Sequence, residues 1–204
     1  MTYPNEPVYP DIITDIPGTI PFTYDANQII LKTQFASGRE SRRLMWQGPR
    51  RDVTIKYNGM SYTEAQSFWE FYRSMEGPYQ SFVFYFPRER TYWDEAFGSS
   101  NGEEDLINLP CKDIQLGQSF ELRRGNVVLV YNSDYTINVG AGAQGCDQAD
   151  LDVPGEAGQN YFFSFTGRLK IKARFSDEGQ GFSELKDLLS QITVNLVGLQ
   201  GELV

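Results

Sequence analysis

Ser81, Phe82, Val83, Phe84, Tyr85 and Phe86 follow one another without a charged residue, and this run constrains the fold more than any other part of the chain. A half-buried strand alternates apolar and polar residues so that one face meets water. Neither face of residues 81–86 can be left wet. The run therefore predicts a strand sandwiched between a helix and a second layer. The helix is encoded just upstream, where Ser61-Tyr62-Thr63-Glu64 forms a capping box in which hydroxyl and carboxylate each satisfy an orphan backbone donor. Ala65, Phe68, Trp69, Tyr72 and Met75 then recur at i, i+3, i+4, i+7 and i+10, one face of a helix predicted over residues 62–76. Gly77-Pro78 offers a C-terminal cap and a stop. Burying that face contributes roughly 1.5–3 kcal/mol for each large side chain.

Most other apolar runs are short, β-branched or aromatic, and bounded by turn residues. Residues 28–33 and 53–57 read as strands, the second closed by the turn signal Asn58-Gly59. Further strands are expected at residues 114–116, 119–122, 127–131, 135–139 and 193–199. Residues 161–165 and 169–175 flank Thr166-Gly167-Arg168 as a hairpin, and Leu185, Leu188, Leu189 and Ile192 suggest a short helix. Five of the ten prolines (Pro4, Pro7, Pro10, Pro17, Pro21) open the chain and predict an extended arm over residues 1–22. The polar, acidic stretch 94–105 marks a boundary. The fold class expected is a β-rich α+β protein: an antiparallel β-sandwich with one packed amphipathic helix, formed by residues 23–98 with 161–204, plus a small all-β insert at 99–160.

Chemistry is restricted by what is missing. The chain has no histidine, which removes the commonest general base, the Ser-His and Cys-His pairs and most metal ligation. Two cysteines, Cys111 and Cys146, are too few for a disulfide scaffold or a closed zinc site and read as free thiols. Asp94 with Glu95, or Glu103 with Glu104, could act as a glycosidase pair, but neighbouring acids in a polar linker read better as solvated charges. Gly140-Ala141-Gly142-Ala143-Gln144-Gly145 matches G-x-G-x-x-G after a strand. The segment after it, residues 146–154, is too short and acidic for a pyrophosphate-binding helix, so a loop is expected. Asp147, Asp150 and Asp152 could meet on calcium, although not at EF-hand spacing. The reading is of a non-enzyme with no cofactor and no catalytic or metal residues.

Net charge is −9. It is unevenly placed. Lys32, Arg39, Arg42, Arg43, Arg50, Arg51 and Lys56 outweigh Glu40 and Asp52, whereas Asp94, Glu95, Glu103, Glu104, Asp105, Asp113 and Glu121 face only Lys112 in their stretch. Opposite patches on one chain allow copies to dock head to tail, and two solvated charged faces are the alternative reading. Arg39, Arg42, Arg43, Arg50 and Arg51, with Trp46, are the candidate subunit contacts, and the proline-rich arm is expected to lie on a neighbour. The acidic balance disfavours nucleic acid as a gripped partner. No apolar run reaches the roughly 20 residues that span a bilayer, and the acidic, proline-rich start lacks a signal peptide's regions, so synthesis in the cytoplasm without membrane association is expected.

A series of landmarks runs in order along the chain: Phe22-Thr23 entering a strand, Ser37-Gly38-Arg39-Glu40 with Arg42, Trp46, and Pro49-Arg50-Arg51. After them come a strand, the capped helix with Phe71-Tyr72, Gly77, the strand Phe82-Val83-Phe84, Pro87 and Tyr92, and near the C-terminus Ala173-Arg174-Phe175. In that order and spacing, residues 10–92 resemble the distal tail proteins, also called minor tail proteins, of long-tailed phages and gene transfer agents. The family tends to place Asp before the proline after the aromatic strand, where this chain has Phe86-Pro87. The resemblance implies a virion structural protein: a homohexameric ring at the tail tip or baseplate, joining the tail tube protein to the baseplate hub or tail tip protein, with DNA passing through its lumen. A carbohydrate- or receptor-binding tail module is the alternative, suggested by Tyr131, Tyr135 and Tyr161 in the insert.

Overall fold

The computed structural model describes residues 7–10, 22–27, 30–34, 40–44, 50–103, 105–177, 180–185 and 189–199. The first half carries β1 (Phe22–Asn27), β2 (Ile30–Gln34), β3 (Glu40–Leu44), β4 (Arg50–Met60), α1 (Tyr62–Ser74), β5 (Ser81–Tyr85) and β6 (Arg90–Ser99). Short strands come next: β7 (Leu106–Asn108), β8 (Cys111–Lys112), β9 (Glu121–Arg124), β10 (Val127–Leu129), β11 (Tyr135–Asn138) and β12 (Gln148–Leu151). The chain continues through β13 (Asn160–Phe175), β14 (Gly181–Leu185) and β15 (Leu189–Gly198). The strand pairs of defined register are antiparallel and α1 is the one α-helix among the described residues, so the protein has a β-rich α+β fold. Its contacts divide it into two compact units, one built on residues 7–9 and 82–171, the other on 22–81 and 172–199. The boundaries drawn from sequence at 98/99 and 160/161 fall inside and at the start of β6 and β13.

The helix-bearing unit orders its strands β1, β4, β15, with β14 and the end of β13 sharing the far edge of β15. Val53, Ile55 and Tyr57 of β4 and Ile192, Val194 and Leu196 of β15 are buried at every second position, the pattern of a strand with one dry face. Phe68 of α1 is fully buried and meets Phe175 edge-on at 6.0 Å, while Tyr72 approaches the same ring at 4.9 Å. The capping box forms as expected: Ser61 Oγ accepts from Glu64 N, and Glu64 Oε2 accepts from Ser61 N at 2.7 Å. At the other end Gly77 N–H donates to Tyr72 O and Glu76 N–H to Arg73 O, both 3.0 Å, a Schellman motif. The left-handed position falls on Glu76, at φ 53°, one residue before the glycine expected there.

Two elements differ from expectation here. Asn58-Gly59 makes no hairpin turn. β4 runs on to the fully buried Met60, and Gly59 at φ 83° is the extra residue of a bulge, because Met60 pairs with Ser190 while Asn58 pairs with Gln191. The helix expected around Leu185, Leu189 and Ile192 is instead the β14–β15 hairpin, in which Leu185 pairs with Leu189. Leu188 lies outside the described residues. The helical spacing of these leucines was outweighed by the alternation of Ile192, Val194 and Leu196, which extends the β4 sheet.

In the second unit β13 is central, and most of its residues are buried. One side pairs with β6, the other with β9 and β8, and β5 also joins it. No hairpin forms at Thr166-Gly167-Arg168, because β13 itself runs through, paired with β6 as far as Gly167 and with β8 from Arg168. Thr166 and Thr91 bond through their hydroxyls at 2.9 Å, and Arg168 Nε donates to Phe86 O at 3.0 Å. Gly167 has a packing role instead: a Cβ there would crowd Lys112 O at 3.2 Å. The acidic stretch 94–105, expected to mark a boundary, is strand over its first half, to Ser99, with Phe97 buried and stacked on Tyr161 at 5.8 Å. Residues 114–116 form no strand, whereas β7 and β12, unanticipated, join β11 in a separate three-stranded sheet.

Candidate functional site

The basic candidates do not share one surface. Arg39 and Trp46 lie outside the described residues. Arg42 and Arg43 fall in β3, opposite Lys32 and Leu31. Arg50 and Arg51 are consecutive in β4, so they project from opposite faces. Arg51 shares the face of Val53 and Ile55. Arg50 is on the other face, where its Nε donates to Asp52 Oδ1 at 2.9 Å across a pair about one-third exposed.

Beside Arg50 lies a shallow depression of about 200 Å³, lined by Thr23, Asp52, Thr54, Ser176 and Asn195 among others. Its polar groups are mostly engaged with each other. Thr54 Oγ1 donates to Asn195 Oδ1 at 3.0 Å, and Asn195 N–H donates to Gln180 Oε1 at 2.8 Å. The depression holds a cation, a carboxylate and neutral amides, which suits hydrogen bonding to a polar surface and supplies no activated nucleophile.

The glycine-rich loop is closed around an acid of its own. Asp147 is fully buried, and its carboxylate accepts from Gly140 N–H and Ile114 N–H, each at 2.8 Å. Ala143 N–H goes to Asn108 Oδ1 at 2.9 Å and Gly142 N–H to Cys146 O at 2.8 Å. The backbone donors that would cradle a phosphate are thus occupied, and a three-residue 3₁₀ turn, Ala143–Gly145, stands where the motif requires an α-helix. Lys170, also buried, donates to Gln144 Oε1 at 3.0 Å. A Cβ on Gly142 would fall 2.6 Å from Cys146 Sγ, so that glycine serves close packing.

The other acids are dispersed. Asp147 points inward while Asp150 and Asp152 are exposed, and no three of His, Cys, Asp and Glu converge among the described residues. Asp94 sits at φ 52° in a bulge opposite Ser164 and accepts from Arg123 at 2.8 Å. Glu104 lies outside the described residues. Both cysteines are free and buried; burial, with the Asp147 charge second, pushes the Cys111 thiol up, and burial likewise raises Cys146. Tyr135 and Tyr161 belong to the core, and Tyr131, half-buried, packs edge-on to Phe120 at 4.9 Å, so of the three tyrosines only Tyr131 reaches the surface. Burial pushes the Tyr135 hydroxyl up to about 12.

The exposed aromatics are others. Trp93, 72 % exposed, precedes Asp94 in the same bulge, and the Arg123 guanidinium lies 4.9 Å over the Phe162 ring. Sequence reasoning passed over Trp93 because a bulge turns it outward in a strand whose Tyr92 and Phe97 face the core. No helix among the described residues is long and apolar enough to cross a membrane. No family model matches the chain, and no curated protein matches it.

Proposed function

We propose that this chain is a structural virion protein of a phage-like tail, forming a homohexameric ring that joins the tail tube to the baseplate hub or tail tip protein around a lumen through which DNA passes. The observation that carries the reading is the ordered run of landmarks from Phe22 to Tyr92, with the capped helix, its Schellman end and the buried aromatic strand in succession. The separation of basic and acidic stretches supports head-to-tail docking. The acidic balance suits a conduit that does not grip DNA.

Because Arg50 and Arg51 project from opposite faces, single substitutions separate them. Arg50→Glu replaces one member of a weak, part-exposed pair and costs little folding stability. It is expected to shift the native mass from ring to monomer with the thermal midpoint nearly unchanged; rings that persist would remove Arg50 from the contact.

A second reading, a saccharide- or receptor-binding tail module, is favoured by one feature, Trp93 standing exposed beside the Asp94–Arg123 pair. Glycan-array binding that disappears in Trp93→Ala would support it, and an array without signal would discard it.

A further inference from the structure

The free edge of β5 is closed by the beginning of the same chain. Val83 N–H donates to Pro7 O and Tyr9 N–H donates to Val83 O, both at 2.9 Å, making a single parallel bridge between Val8 and Val83. Tyr9 is 1 % exposed. Its ring meets Phe84 edge-on at 5.4 Å and Phe82 at 5.8 Å, and Val8 packs against Val83, Tyr85 and Cys146. Without residues 7–9, β5 would present an unpaired strand edge and aromatic side chains to water, a combination prone to indiscriminate pairing. The slot has to be filled.

Nothing in those contacts depends on which copy of the chain fills it. A segment from a second copy makes the same two hydrogen bonds and the same ring contacts, and exchange alters only the path from Pro10 to Phe22. The sequence over that stretch includes Pro10, Pro17 and Pro21, residues that each fix φ and lack a backbone donor. Exchange of an identical element is a low-cost route to assembly for this reason.

We propose that, in the assembled ring, residues 7–10 of each copy occupy the β5 slot of the next, with Tyr9 as the anchor. The inference rests on the ring reading above and gives it a closure rule. Each copy lends one segment and borrows one, so an open row leaves a bare aromatic slot at one end and a loose segment at the other. Closing the row removes both, and the last junction is intramolecular, at high effective concentration.

The test uses the full chain carrying Val8→Cys and Val83→Cys, with Cys111→Ala and Cys146→Ala so that no native thiol competes. Particles are sized first, then oxidised and run on a denaturing gel without reductant. The expected result is a ladder of disulfide-linked multimers, holding most of the protein, from ring-sized particles. Ring-sized particles whose disulfides stay within single chains overturn the exchange and leave the ring reading standing. Monomeric particles with internal disulfides overturn both. Linked multimers without closed rings support the exchange and overturn the ring. Should the four substitutions prevent folding, a benzophenone amino acid replacing Tyr9 in the otherwise native chain gives the same decision on irradiation: cross-linked multimers support the exchange, and cross-links at monomer mass overturn it.

Discussion

The unit that carries α1 and the unit that carries the Asp147 loop keep their interiors dry by different means. In the first, a strand alternation in β4 and β15 meets one amphipathic helix, and the local signals of cap, stripe and stop agree with one another. In the second, β13 is paired with strands on both sides, and β7 to β12 are each two to four residues long. Such strands do not hold themselves. Polar side chains complete them: Asp147 ties Gly140 to Ile114, Asn108 holds Ala143, and Asp134 Oδ2 accepts from Val130 N–H at 2.7 Å. The comparison teaches that apolar burial dominates where an element is long, and side-chain hydrogen bonds to the backbone decide the structure where elements are short.

The largest expected effect breaks the first unit. Phe68→Ala removes a fully buried ring that touches Trp69, Tyr72 and Phe175, and should cost about 3–5 kcal/mol. Hydrogen exchange should quicken chiefly at β4 and β15; equal acceleration across β9 and β12 would dissolve the distinction between the units.

Asp147→Ala should weaken the second unit by about 1–3 kcal/mol for each buried donor left without a partner. Asp147→Asn, which keeps an acceptor, should cost less. If Asp147→Ala melts like wild type in chemical denaturation, polar completion is not what holds that loop.

Alkaline pH should act on the second unit as well. Burial raises the thiols of Cys111 and Cys146, so their neutral forms contribute stability that is fully present below the unfolded thiol pKa of about 8.5. That contribution falls as pH climbs, because the unfolded chain releases protons that the folded chain retains, by at most roughly 1.4 kcal/mol per pH unit for each thiol. Denaturation midpoints at pH 7.5, 8.5 and 9.5 should decline in wild type and flatten in Cys111→Ala/Cys146→Ala.

The smallest expected effect sharpens the account of the helix end. Glu76→Gly relieves a left-handed residue and should gain about 0.5–1 kcal/mol. A loss in thermal unfolding would mean that the Glu76 side chain makes a contribution its backbone conformation does not reveal.

Legibility in the sequence divided along the same line. Helix α1, its capping box and the aromatic strand β5 were readable because their signals are local and repeat at a fixed period. The continuous strand β13 was not, since Thr166-Gly167-Arg168 has the composition of a turn and only the approach of Lys112 explains the glycine. Gly59 misled in the same way, a bulge and a turn both calling for positive φ. Leu185, Leu189 and Ile192 had helical spacing by coincidence, and pairing with β4 overrode it. At the level of sites, the lack of a phosphate cradle in 140–145 was foreseeable from the acidic segment 146–154 behind it. The role of Asp147 was not, because its partners Gly140 and Ile114 lie in separate loops. Tyr9 escaped notice inside a proline-rich segment read as reaching outward.

The most direct test of the central claim, that the protein acts by presenting shape and charge to its own copies, is electron microscopy of the purified chain across a concentration series. Closed rings of uniform diameter with six-fold averages are the expected result. Single compact particles at every concentration would contradict it.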